Sequence, residues 1–598
     1  WFWPLDQLDV APTPSTLPAP SEAARAIARD LRNTHRFFHW ELEFPDVFNQ
    51  KGAGFDAIVG NPPWEIRKPS SKEFFSDLDP LYRSYGKQEG LTRQRELFAA
   101  DPKVERRWLD YVGGFKDAGN FVRHAAEPFG NTEEGEDGRP RIMLVPRKVD
   151  ESRRLHKKWA AQRARRTGYA DPEHAFRHQG SADLNTYKLF VEQAHALLKP
   201  GGLFGLVTPS SLGTDKGSAD LRRLLLDNCR WRWFYGFENR NKLFDIHRSF
   251  KFAVTIAEKG GKTAAIQAAF MRHELEDWAE PKDALAYPAE RVHAFSPRSL
   301  SMLEIRSQRD LEILTKIYTD TVLLGDGGPH GWGIKYATEF HMTNDSKLFI
   351  PRDKADEAGY RSDDYGRWIG PEGDVLLPLY EGRMIGQFDF SKKGWVSGKG
   401  RGAVWRDIPW EKKVLEPQFT IRRGSFVEHS PGTAPHSRLA FMDVTAATNT
   451  RTMVAAALPP LPCGNSAPIL LSTQSPIALA LVLNSYAYDF VARARCGGLH
   501  LNYFVIEETP LVSPCAVAPA VPMSVALAAA PALAPLILET SPGRLLRRAI
   551  TPHERLRLRC ILDAVVAALY GLSRDDLRWI LRDCDHPKER LSDNAFCR

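Results

Sequence analysis

Phe55-Asp56-Ala57-Ile58-Val59-Gly60 is a short apolar run that stops at Asn61-Pro62-Pro63-Trp64. Proline donates nothing to a sheet ladder, so the two prolines mark the end of a strand and the start of a tight turn. Further along, apolar residues at helical spacing run from Leu184 to Leu198 and end at Lys199-Pro200-Gly201-Gly202. A strand, Leu203–Val207, follows and closes at Thr208-Pro209-Ser210-Ser211. A helix over about 217–228, strand-like Trp231–Gly236 and a strand over Phe250–Glu258 continue the alternation. Strands alternating with helices predict an α/β domain with a largely parallel sheet.

The 598 residues suffice for roughly three or four domains at about 150 residues each. Such a chain buries a core without disulfide or metal staples. Charged residues make up 26% and hydrophobic residues 43%, which excludes wholesale disorder and a membrane transporter. Cysteines stand at 229, 463, 496, 515, 560, 584 and 597 with no CxxC pair, so no zinc ribbon and no metal are expected. Their odd number fits a reducing compartment, and a cytoplasmic location is expected. The net charge of +7 is small beside 81 basic and 74 acidic residues; it permits a nucleic-acid partner without demonstrating one.

Residues 509–538 carry no charge, but Pro510, Pro514, Pro519, Pro522, Pro531 and Pro535 interrupt them. Prolines at that density break a membrane-crossing helix, so residues 511–550 are expected to form an Ala/Pro-rich connector with one short buried piece. No membrane partner is expected. The first 20 residues are Pro-rich and read as irregular, and Ser21 caps a helical pattern through Asn33. Residues 65–180 read as a charged insertion within a catalytic domain spanning 1–300. Its stretch Arg147–Arg166 has nine basic and two acidic residues and is either a phosphate-tracking arm or a solvated helix face. From Trp332 to about 500 short β-like runs replace the alternation, which sets 301–510 apart as a mixed domain. Residues 551–598 return to helix, with Leu558, Ile561, Leu562, Val565 and Leu569 in one amphipathic pattern.

The turn after the first strand carries the clearest chemistry. In open α/β sheets ligands bind beyond the carboxyl ends of strands. The amide oxygen of Asn61 can accept one hydrogen of a planar exocyclic amine, and the carbonyl of Pro62 the other. Two acceptors push electron density onto the nitrogen as an electrophilic methyl group approaches. Trp64 offers a stacking face, and a base buried in a duplex must be flipped out to reach such a pocket. Asn-Pro-Pro is also compatible with an ordinary turn. Phe250 and Phe252 are candidates to close the other face of the base, but their spacing is equally that of sheet core.

Phe38-His39-Trp40-Glu41-Leu42-Glu43-Phe44-Pro45-Asp46-Val47-Phe48 followed by Phe55–Trp64 closely resembles the large N6-adenine DNA methyltransferases of type IIG restriction–modification and of the DISARM and BREX phage-defence systems. The resemblance continues through Lys199–Ser211, Asp245–Phe252, Phe340–Asp345, Pro378–Ile385, Gly497–Asn502 and Leu569–Leu572, in order along nearly the whole chain. It implies a Rossmann-like methyltransferase sheet, a mixed α/β target-recognition domain and a C-terminal helical segment. It also implies that Asn61, Pro62, Pro63 and Trp64 form the catalytic motif, that S-adenosylmethionine is the methyl donor, and that double-stranded DNA is the partner, alongside other subunits of a prokaryotic defence system.

In the recognition domain Arg383, Lys392, Lys393, Arg401, Arg406, Arg422 and Arg423 alternate with glycines and aromatics and are candidates for phosphate or base contact; surface charge around core tryptophans is the competing reading. One departure stands out. The family holds its methyl donor on a glycine-rich loop after a first strand, ahead of the Asn-Pro-Pro motif, and residues 1–60 contain no such loop in that place. The expectation is that this loop lies upstream of Trp1. Two rivals follow: a DNA-binding specificity fragment without activity, and a methyltransferase for protein glutamine or RNA, whose amide or amine has the same acceptor geometry.

Overall fold

The computed structural model describes residues 40–48, 52–124, 176–180, 183–276, 284–327, 331–363, 365–430, 437–447, 449–541 and 548–583, with strands at 132–134 and 140–142 and a few isolated positions. The Pro-rich start, most of the helix read over 21–33 and nearly all of the basic run 147–166 lie outside the described residues. The chain divides into two compact units, Trp1–Glu290 with Ser299–Ser301, and Arg291–Arg298 with Met302–Arg598.

The first unit is built on a six-stranded sheet: β1 (Phe55–Gly60), β2 (Leu198–Pro209), β3 (Cys229–Glu238), β4 (Lys251–Lys259), β5 (Ala265–Arg272) and β6 (Leu285–Pro288), in the spatial order β1-β2-β4-β3-β5-β6. The sheet is mixed rather than largely parallel. Only β1 with β2 and β3 with β5 run parallel; β4 enters antiparallel between β2 and β3. The chain leaves β3 and returns along β4 as its direct neighbour, so reversal is forced. Two helices border β2 in sequence. The first, Thr186–Leu197, buries Tyr187, Val191, Ala194 and Leu197 along one stripe; the second, Ala219–Asp227, buries Leu221, Leu224 and Leu225.

β1 is the rim of this sheet. Trp40, Phe44 and Phe48 close on Phe55 with ring centroids 5.3–5.9 Å apart, which explains the density of aromatics before the strand. At the other end of β1, Val59 is 86% exposed. A parallel strand is ordinarily covered on both faces, so this apolar side chain marks a rim left bare by the described residues.

The insertion is a closed excursion. Arg67 N donates to Leu184 O at 2.8 Å, Thr186 N to Glu65 O at 3.0 Å, and Ile66 bridges Asn185 antiparallel, so the chain departs and returns at one point. Its described part is mostly helical, at Ser71–Ser76, Lys87–Ala100 and Pro102–His124, with a short antiparallel pair at Thr132–Glu134 and Pro140–Ile142. Phe75, Tyr82 and Val104 form a small core of its own with Phe74, Phe98 and Trp108. Asp79 ties this core together, accepting from Arg93 Nε at 2.7 Å and Tyr85 OH at 3.3 Å.

The second unit holds a four-stranded antiparallel sheet (Lys335–Ala337, Ile469–Leu471, Arg438–Phe441, Ala455–Leu458) and a five-stranded one (Phe349–Pro351, Phe419–Arg422, Val375–Pro378, Trp368–Ile369, Arg361–Ser362). Helices Pro476–Leu483 and Tyr486–Arg495 are buried almost throughout. The uncharged stretch after Thr509 departs from the expected connector. It folds into a run of short helices, and Val525, Ala528, Leu533, Leu536 and Ile537 join the unit's main core. Each proline-bearing turn has its proline in the first two helical positions, where the missing N–H costs nothing. The prolines therefore start successive helices instead of forbidding them. Among the described residues no helix is long and apolar enough to cross a membrane.

The C-terminal helix Arg574–Asp583 is docked on helix Gln308–Tyr318 by buried Asp576. It accepts from Arg309 at 2.6 Å, Lys316 at 2.8 Å and Ser573 N at 2.8 Å. Burial pushes this carboxyl up, but the hydrogen bonds of Lys316 and Ser573 outweigh it and hold the pKa at about 2. A depressed folded pKa adds stability above the unfolded value of 3.8, and that contribution disappears as pH falls through about 2. Asp576→Asn is expected to lower the urea midpoint at pH 6 and to converge with the wild-type protein as the pH drops below 4. A gap that stays constant with pH would remove the ionised carboxylate from this role.

Candidate functional site

The site forms where β1 and β2 end side by side. Their parallel register, Gly60 beside Leu206, places Asn61-Pro62-Pro63-Trp64 next to Thr208-Pro209-Ser210-Ser211. Antiparallel β4 begins at the same end, with Phe252 paired to Pro209, and β3 ends there at Glu238. The crevice is therefore lined by the Asn61 turn, the Thr208 turn and the loop 239–250 that joins β3 to β4.

Asn61 is exposed, and its side chain has no hydrogen-bond partner among the described residues. Pro62 is buried, and its carbonyl accepts no backbone hydrogen bond from the described residues. Pro63 is exposed. The turn thus presents two unused acceptors on a backbone whose φ is fixed by consecutive prolines. Trp64 is half-buried, and its indole N–H donates to Val207 O at 3.2 Å, which anchors the ring to β2.

The aromatic candidates separate. Phe252 is 3% exposed and belongs to a core cluster with Tyr235 and Phe237, the sheet-core reading of its spacing. Phe250 is 39% exposed and lies almost parallel to Trp64, with centroids 5.6 Å apart and planes inclined by 7°. A base between two rings needs two contact layers of roughly 3.5 Å each, more than this spacing provides. Trp64 and Phe250 therefore stack on each other, with Phe244 edge-on at 5.4 Å, and make one aromatic wall beside Asn61 rather than an open sandwich.

The sequence reading missed the residue that builds this wall. Asn239 is fully buried at the start of the 239–250 loop. Its Nδ2 donates to the carbonyls of Phe244 and Ile246 at 3.0 and 3.1 Å, and its Oδ1 accepts from Phe244 N at 2.9 Å. One side chain thus folds the loop that carries Phe244 and Phe250. Nothing in the polar run Glu238-Asn239-Arg240-Asn241 distinguishes it from a surface residue.

The glycines before β1 and after β4 do not fit a cradle for S-adenosylmethionine. A cofactor loop needs a glycine turn at the carboxyl end of the parallel strands, where backbone can approach the ligand. Gly52 and Gly54 precede β1, at the opposite end. Gly54 has φ +138, and a Cβ there would collide with the backbone of Leu198 and Lys199, so its role is strand packing. Gly260 and Gly261 follow β4 and lie at that same far end, because β4 runs against β2.

In the second unit most of the predicted DNA-contacting cations have carboxylate neighbours. Arg406 pairs with Glu416, Lys392 with Asp407 at 3.2 Å, Arg422 with Asp374 at 3.6 Å and Arg383 with Glu381 at 3.7 Å. Arg383 also stacks over Trp405 at 5.1 Å. Lys393 and Arg423 are exposed, with no side-chain partner among the described residues. The side chain of Arg401 lies outside the described residues.

Comparison with known proteins gives a family match over part of the chain. No curated protein matches the chain. Solved structures that match include a type IIL restriction-modification enzyme, MmeI, in complex with DNA (11% identity, TM-score 0.36, 67% of this chain and 52% of that one). Others are the type IIG restriction endonuclease BpuSI (12%, 0.23, 67% and 50%) and a modification subunit of a putative type I restriction enzyme from Vibrio vulnificus YJ016 (17%, 0.15, 17% and 21%). The chain spans about half the length of the first of these. Residues 15–98 and 162–244 match the family model described as Eco57I restriction-modification methylase. Over those residues, which include β1, the Asn61 turn, β2 and β3, the chain is similar to Eco57I restriction-modification methylases.

Proposed function

We propose that this chain carries the catalytic turn and recognition part of a DNA methyltransferase that acts on the exocyclic N6 amine of adenine. The observation that carries the reading is the pair of unused acceptors, Asn61 Oδ1 and Pro62 O, held beside the Trp64–Phe250 wall at the ends of two parallel strands. An amine bound by both acceptors is held in the plane of its ring and made more nucleophilic. The extruded base packs on the exposed part of Phe250, with Trp64 as backing. Double-stranded DNA is the substrate, read by the second unit. The methyl donor that the family implies is S-adenosylmethionine.

The test is to incubate the full protein containing this chain with duplex DNA and the methyl donor, then digest the DNA and identify methylated nucleosides by mass spectrometry. N6-methyladenine is the expected product. N4-methylcytosine would keep the amine chemistry and overturn the base. A second reading, a DNA-binding specificity fragment without activity, is favoured by the misfit of Gly52, Gly54, Gly260 and Gly261 to a cofactor loop. Duplex binding with no methylated nucleoside would select it.

A further inference from the structure

The loop that carries Phe250 also carries an unassigned set of charges. Between β3 and β4 stand Arg240, Lys242 and Arg248, all exposed, and none has a side-chain partner among the described residues. The loop's only carboxylate is Asp245, also exposed, so these positions leave a net charge of +2 (three basic, one acidic). Two further carboxylates lie at the foot of the loop and make their side-chain bonds to neutral or ring groups and not to these three cations: Glu238 with His273 at 3.0 Å, and Glu274 with Asn241. This contrasts with the second unit, where Arg383, Lys392, Arg406 and Arg422 each have a carboxylate within reach.

The loop is also preorganised. Buried Asn239 holds its turns, and Lys242 adopts a left-handed conformation at φ 56 that turns the chain straight after the strand. Unpaired cations on a fixed backbone bind phosphodiesters without first ordering a segment, and they have no internal salt bridge to break. Their place beside the aromatic wall fits phosphates on either side of a displaced nucleotide, because extruding a base rotates the backbone that flanks it.

We propose that Arg240, Lys242 and Arg248 form a phosphate clamp for duplex DNA, gripping the strand around the nucleotide presented to Asn61. The inference rests on the proposed DNA substrate, but its test needs no methyl transfer. Binding of the full protein to a 30-base-pair duplex is measured against salt concentration for the wild type and for Arg240→Gln, Lys242→Asn, Arg248→Gln combined. Asparagine tolerates the left-handed position, and all three side chains are exposed, so the fold is retained. Each lost phosphate contact flattens the log–log salt slope by about 0.9, so the triple variant is expected to lose about 2–3 of slope and on the order of tenfold in affinity.

The matched control, Arg223→Gln with Arg230→Gln, is expected to change the slope by less than about one, because each guanidinium already has a carboxylate partner, Asp220 at 2.6 Å and Glu258 at 2.7 Å. An unchanged slope in the triple variant overturns the clamp, even if adenine methylation is confirmed. Equal losses on duplex DNA and on duplex RNA of the same sequence overturn its assignment to DNA. Asn61→Ala with unaltered salt dependence, whatever its turnover, keeps the clamp and separates it from the catalytic reading.

Discussion

Asn61→Ala is expected to cut methyl transfer by a factor on the order of 10³ while leaving duplex binding largely intact, as for loss of one preorganised polar group that acts on the reacting centre. The side chain is exposed and makes no hydrogen bond within the chain, so its removal opens no cavity and strands no donor. A loss of turnover therefore reports chemistry and not folding. The measurement is initial rate of label incorporation into duplex DNA, with affinity measured in parallel. Unchanged turnover would sink the assignment of Asn61, and equal loss of binding would make it a DNA contact instead.

The second large effect concerns stability. Glu508 is fully buried in the second unit and accepts from Ser296 Oγ and Arg298 N, both at 2.6 Å, and from Arg495 at 2.8 Å. Arg495 is itself buried and also donates to the carbonyls of Phe295 and Val505 at 2.9 and 2.7 Å. The network fastens residues 291–298 to the rest of that unit. Glu508→Ala is expected to destabilise the unit by about 3–5 kcal/mol, because it leaves the guanidinium buried without a counter-charge. Chemical denaturation followed by circular dichroism checks this. A loss below about 1 kcal/mol would mean that water replaces the carboxylate, which the burial of both side chains argues against.

What could be read from the sequence divides along physical lines. The first strand and its stop were legible because proline's effect on a ladder is local. The helix before β2 was legible because Tyr187, Val191 and Ala194 repeat at its period. Strand direction was not, since alternation of apolar residues is the same in parallel and antiparallel neighbours. The stacking of Trp64 on Phe250 was hidden because it joins residues far apart in sequence, and spacing within one strand says nothing about what covers it. The arginines of the recognition unit looked free because their partners, Glu416 and Asp374 among them, lie on other segments. The Ala/Pro stretch misled for a different reason. Proline forbids a helix interior and favours a helix start, and composition alone does not tell one from the other.

The hydrogen-bonded junction of Glu65–Arg67 with Leu184–Thr186 has a consequence for how such proteins diversify. The entropy of closing a flexible loop rises only by about 0.6 kcal/mol for each doubling of its length. A junction zipped at its own base isolates the strand ends from whatever is threaded through it. Residues 176–180 lie back on the helix Thr186–Leu197, with buried Gln179 donating to Glu192 at 2.6 Å, so a change of length that leaves the Asn61 turn in its place is expected to fall between 68 and 175.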